Sequence, residues 1–170
     1  MKSFFSFPNP VNEVSARIVA GGVVVMALLV LTLHQPWLIG LIAYGFVART
    51  LTGPTLSPLG QLATRVITPR LGVAAKYVPG PPKRFAQSCG AVLSLLALLL
   101  AFGFGLSSIA YILMGILAVL ATLESVFAFC VGCKIFGALM ALGIIPQSVC
   151  VECSNIWARS SSQPHGPVGD

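Results

Sequence analysis

Carboxylates are the scarcest groups in this chain. Only Glu13, Glu124, Glu152 and Asp170 carry one among 170 residues, and charged residues of both signs make up 8%. A typical soluble domain carries about 25%. With 56% hydrophobic residues beside so few charges, a soluble surface could not be covered, and an integral membrane protein is expected. Histidine is also rare, with two residues. There is no H-E-x-x-H, no G-x-x-x-x-G-K-[ST] and no nucleophile–base–acid set, which excludes the familiar metalloprotease, phosphate-loop and hydrolase layouts. The net charge of +6 comes from basic residues that flank apolar runs. They do not cluster with aromatics on a polar face, so the bilayer is the expected partner and nucleic acid is not.

The apolar runs set out an all-α protein, a four-helix membrane bundle in one domain over residues 1–157. The first span is expected over 14–34, long enough against the roughly 20 residues a crossing needs. The second run, 37–51, is short for a span. Trp37 opens it at the interface, and Arg49 near its end is placed to snorkel. The third span is expected over 86–104 and the fourth over 109–129. Between the second and third, Ser57-Pro58 has the form of an N-cap and first helical residue. Leu59, Leu62, Ala63, Val66 and Ile67 then repeat at helical spacing. This predicts an amphipathic helix over 58–68, lying on the membrane or against the ends of the bundle. Pro79-Gly80-Pro81-Pro82 is expected to break the chain, and Lys83-Arg84 to mark re-entry. Met1 to Asn12 lacks the layout of a cleavable signal peptide, and Asn9 or Asn12 would cap the first helix. Residues 158–170 are expected to be disordered.

Lysine and arginine fix the expected orientation. All ten lie at the N-terminus, in or beside the 52–84 connection, or after the fourth span, and the two other turns carry none. The positive-inside rule then places both termini and the long connection in the cytoplasm.

Four of the five cysteines stand in one stretch, Cys130-Val131-Gly132-Cys133 and Cys150-Val151-Glu152-Cys153, with sixteen residues between the pairs. That separation falls within the range of about 15–20 that suits a zinc site of two C-x-x-C pairs. The apolar insert Ile135–Ile145 covers about 16 Å as a helix, too little to cross, so both pairs stay on one side. Three chemistries remain open. All four thiolates could ligate one zinc ion in a structural clamp. They could be two redox dithiols, since a helix N-terminus favours the thiolate. They could relay sulfur or hold an iron–sulfur cluster. A cytoplasmic position argues against permanent disulfides. Lys134, Glu124 and Arg49 are the charged groups expected to tune the site. Glu124, the one acid inside a span, is expected to pair with Arg17 or Arg49, or else to bind a proton or cation. Cys89 reads as an ordinary small apolar residue.

Phe129-Cys130-Val131-Gly132-Cys133-Lys134 resembles the F-C-x-G-C signature of a bacterial family of four-helix membrane proteins known only as a domain of unknown function. Asn9-Pro10-Val11-Asn12, Thr68-Pro69-Arg70-Leu71-Gly72 and Pro82-Lys83-Arg84-Phe85-Ala86-Gln87 are similar to it too. The resemblance implies the bacterial inner membrane. It also implies a thioredoxin-like or rhodanese-like soluble partner, with which members are linked by gene context or fusion. The leading expectation is a membrane-anchored thiol or metal-thiolate module. A scaffold with a structural zinc site and a small transporter are the alternatives.

Overall fold

Asn12 starts the first helix. Its side chain accepts the Val14 N–H at 3.0 Å, satisfying one of the donors that a helix start leaves open. Asn9 serves a different helix: its Oδ1 accepts the Gly80 N–H at 2.9 Å. The computed structural model describes residues 9–74, 76–150 and 153. The expected disorder of 158–170 lies outside the described residues.

A two-residue strand β1 (Val11–Asn12) pairs antiparallel with β2 (Tyr77–Val78). The helices are α1 (Glu13–Leu33), α2 (Trp37–Thr52), α3 (Pro58–Gln61), α4 (Thr68–Leu71), α5 (Gly80–Phe102), α6 (Ser107–Phe127) and α7 (Val131–Ala141). The protein is all-α apart from the two short strands. Helices α1, α5 and α6 are each long and apolar enough to cross a membrane. The 16 residues of α2 reach about 24 Å.

Packing runs around a ring. Helix α1 lies on α6, α6 on α5, α5 on α2, and α2 on α1. Arg17 at the start of α1 donates from Nε and Nη2 to the Ser125 and Val126 carbonyls at the end of α6, at 3.0 and 2.9 Å. It thus neutralises the carbonyl end of that helix. Val23, Ala27, Val30, Ile39, Ile42, Ala97, Ala110 and Met114 fill the core. Alanine dominates this seam and lets the backbones approach. The outward positions Val25, Leu28, Val92, Leu99, Ile112 and Val119 are equally apolar and exposed. Helices that are apolar on all sides match a lipid surround.

Two details differ from the sequence expectation. The prolines before the third span do not break the chain. Pro81 and Pro82 sit in the first turn of α5, where no N–H is needed, so Lys83 and Arg84 are inside the helix. The amphipathic helix begins at Ser57-Pro58 as expected, with Ser57 Oγ accepting the Gly60 N–H at 3.2 Å. It widens into a π-helical segment over Leu62–Ile67 before α4. The Thr68 N–H there reaches back to the Ala63 carbonyl, and Pro69 has no N–H to continue the ordinary ladder. Leu59 packs so tightly on α1 that a Cβ at Gly22 would stand 2.6 Å from it.

The ring closes between α2 and α5 through Gly90, where a Cβ would fall 2.3 Å from the Phe46 ring. Gly90→Val should therefore destabilise the protein by about 1–3 kcal/mol through overpacking. Gly115→Ala meets nothing within 4 Å and should be neutral or slightly stabilising. Denaturant unfolding in detergent micelles measures both.

Candidate functional site

Helix α6 stops at Ala128, which takes a left-handed conformation at φ 55°. The chain turns at Phe129, and Cys130 becomes the N-cap of α7. Its sulfur accepts the Cys133 backbone N–H at 3.3 Å. The C-x-G-C spacing is thus a helix-capping arrangement, with the first cysteine before the helix and the second in its first turn. Gly132 is required where α7 meets α5: a Cβ there would stand 2.7 Å from both Cα and Cβ of Ala86. One turn further on, Phe136 is buried against Phe85, with ring centroids 5.6 Å apart.

This docking makes the two thiols unequal. Cys130 is buried and Cys133 half-buried. The hydrogen bond from the Cys133 thiol holds Cys130 below the usual thiol range. Burial and Glu124 oppose that shift, while Lys83 and the Cys133 N–H reinforce it. Cys133 is pushed far upward, first as donor to Cys130, then by burial and by the Cys130 charge. The two thiols are thus shifted in opposite directions, Cys130 toward the thiolate and Cys133 toward the protonated thiol.

The second pair is in a different state. Cys150 and Cys153 are joined as a disulfide. Cys150 is buried with Phe136 and Met140, and Cys153 packs at the edge of that cluster. The cytoplasmic expectation had argued against such a bond. In this structure the second pair is thus a disulfide, and Cys130 and Cys133 are the free thiols of the expected four-cysteine stretch. Among the described residues, no three of His, Cys, Asp or Glu converge to hold a metal ion.

The charged neighbours are also rearranged. Glu124 pairs with neither Arg17 nor Arg49. Its Oε1 accepts from Lys83 Nζ at 2.6 Å, and both side chains are largely buried. Lys83 reaches it because α5 begins early enough to include that residue. Arg49 is buried and donates to Gln87 Oε1 at 2.9 Å and Ser57 Oγ at 3.1 Å. It also lies over the Phe46 ring, and its Nη2 has no partner among the described residues. Lys134 extends over the Phe129 ring at 5.8 Å. Lys83 is the functional neighbour that sequence reasoning missed. Its place in Lys83-Arg84 looked like a membrane-entry signal, and nothing local marks which of the two turns inward.

Two cavities meet at Cys130. One, of about 210 Å³, lies within the bundle and is lined by Arg49, Gln87, Cys89, Glu124 and Cys130 among apolar residues. Cys89 is exposed and shares this cavity with Cys130. The other, an open cleft of about 600 Å³, is lined by Lys83, Cys130, Cys133, Lys134, Phe136 and Cys153.

A family model described as a domain of unknown function (DUF4395) matches residues 11–141. The chain belongs to the DUF4395 family. No curated protein and no solved structure matches it. The DUF4395 match takes in the whole helical ring, Cys130, Cys133 and α7, and ends before Cys150 and Cys153.

The Lys83–Glu124 pair has a clear energetic signature. Lys83→Met leaves a carboxylate buried without its partner and should cost about 3–5 kcal/mol. Adding Glu124→Leu should restore most of that loss. A double-mutant cycle by denaturant unfolding measures the coupling, and additive losses would contradict the pairing.

Proposed function

We propose that this protein is a membrane-anchored thiol-redox module whose working group is the Cys130/Cys133 dithiol, exchanging electrons with a soluble thioredoxin-like protein. The observation that carries the reading is the asymmetry of the pair. A thiolate-favouring cysteine at a helix N-cap beside a thiol held protonated is the arrangement thiol–disulfide exchange needs. Cys130 attacks an incoming disulfide, and Cys133 then displaces the mixed disulfide to leave a Cys130–Cys133 bond. The open cleft beside the pair, with Lys134 at its rim, supplies access for a protein partner. A rhodanese-like sulfur donor would use the same thiolate.

The site lies at the end of the bundle that carries Arg17, Lys83, Arg84 and Lys134. By the positive-inside rule this end faces the cytoplasm of the bacterial inner membrane, with both chain termini on that side. The three long apolar helices support the membrane setting. In this reading the bundle acts as a mount. A transport path would need a polar line across it, whereas its core is apolar and rich in alanine.

Oxidised protein mixed with thioredoxin, thioredoxin reductase and NADPH should be reduced at Cys130/Cys133. The reaction should persist in a Cys150→Ser, Cys153→Ser variant and vanish in Cys130→Ser. One tightly held zinc ion per chain with four thiols inert to alkylation would instead establish the structural-clamp alternative. Labelling of the cysteines in intact cells by an impermeant maleimide would overturn the orientation.

A further inference from the structure

The cleft beside α7 holds cysteines in both redox states. Cys130 and Cys133 are free thiols, Cys150 and Cys153 form a disulfide, and Cys130, Cys133 and Cys153 line the same cleft. Of the two disulfide sulfurs, Cys150 is the protected one. It is 4% exposed within the apolar cluster around Phe136 and Met140. Cys153 is half-buried and lines the opening. Attack on a disulfide follows access to one sulfur and departure of the other, so Cys153 is the sulfur presented to a nucleophile in this cleft. The side chain of Phe136, one turn after Cys133, lines the cleft and also packs in the cluster that holds Cys150. The helix that caps on Cys130 therefore also positions the second pair.

We propose that the two pairs form an internal relay, in which Cys130 attacks Cys153 and two electrons pass from the Cys130/Cys133 dithiol to the Cys150–Cys153 disulfide. The inference rests on the redox reading above and extends it to the second pair. In the first step the Cys130 thiolate forms a bond to Cys153 Sγ, the Cys150–Cys153 bond breaks, and Cys150 leaves as a thiolate. In the second step Cys133 attacks Cys130 Sγ, the Cys130–Cys153 bond breaks, and Cys153 leaves as a thiolate. The products are a Cys130–Cys133 disulfide and a Cys150/Cys153 dithiol. The proton that Cys133 gives up is taken up by the second pair, so no outside oxidant or reductant is consumed. The exchange runs in either direction. The second pair then serves as an internal store of two electrons for the first, which itself exchanges with the soluble partner.

The test traps the intermediate. In full-length protein carrying Cys89→Ser, the further change Cys133→Ser removes the resolving thiol. After incubation at neutral pH without oxygen, acid quenching, alkylation and peptide mapping, a Cys130–Cys153 linked peptide is expected. Cys130 alkylation should be lost and alkylation gained at Cys150. A Cys150–Cys153 peptide with Cys130 fully alkylated would overturn the relay. A second variant, Cys89→Ser with Cys133→Ser and Cys150→Ser, guards against misfolding of the first. Mild oxidation should join Cys130 to Cys153 within one chain, and failure to join them would equally overturn the proposal. The redox reading is judged separately, by thioredoxin-dependent reduction in Cys150→Ser, Cys153→Ser. If that survives while the trap fails, only the relay falls. If the trap succeeds while that reduction is absent, the thioredoxin-linked reading falls and the relay stands.

Discussion

The close approach of α7 to α5 at Gly132 and Ala86 is the constraint from which the site follows. No side chain fits between these backbones, so α7 can begin only where a glycine follows the capping cysteine by two residues. Once that contact forms, Phe136 falls on Phe85 and the sulfurs of Cys130 and Cys133 share one helix start. Lys83, three residues before Ala86, is brought to the same level together with Glu124. Packing thereby produces the electrostatics. A dithiol on a loose loop would have two nearly equivalent thiols, whereas here the Cys130 sulfur is fixed as acceptor of the Cys133 backbone N–H.

The bundle end beneath the thiols concentrates most of the charge that the helices bury. Lys83 and Glu124 neutralise one another, and Arg49 has amide, hydroxyl and aromatic partners in place of a carboxylate. Burying such groups is costly unless they are paired or hydrogen-bonded. The cost is met at one end only, while the rest of the ring is packed with alanine, valine and isoleucine. This division suits a protein whose helices hold a site at the membrane surface. It also explains why the cavity within the bundle is apolar except where it meets Arg49, Gln87, Glu124, Cys89 and Cys130.

Much of the fold was legible in the sequence because lipid imposes a simple rule on it. Long apolar runs become helices, and Asn12 and Ser57-Pro58 announce helix starts by local chemistry. The position of Cys130 at a helix start could also be read from the Cys-x-x-Cys pattern followed by an apolar run. The partners were not legible. Glu124 had Arg17, Arg49 and Lys83 all near its depth, and the choice depended on α5 starting at Gly80. That start depended in turn on Pro81 and Pro82 occupying a first turn where they cost nothing, although the same residues in sequence resemble a break. The spacing of the two cysteine pairs was equally ambiguous. It fits a four-thiolate cluster and it fits a dithiol facing a disulfide, and the difference lies in long-range packing around Phe136 and Met140.

The measurement that bears most directly on this account is the pH dependence of alkylation, read separately at Cys130 and Cys133 by mass spectrometry of the folded protein in micelles. The hydrogen bond from Cys133 lowers the Cys130 pKa and raises that of Cys133. Alkylation of Cys130 should therefore set in at a lower pH than that of an ordinary thiol. Cys133 should stay unreactive until Cys130 is blocked or the protein unfolds. Equal rates at the two positions, both rising through the ordinary thiol pKa of about 8.5, would contradict the account.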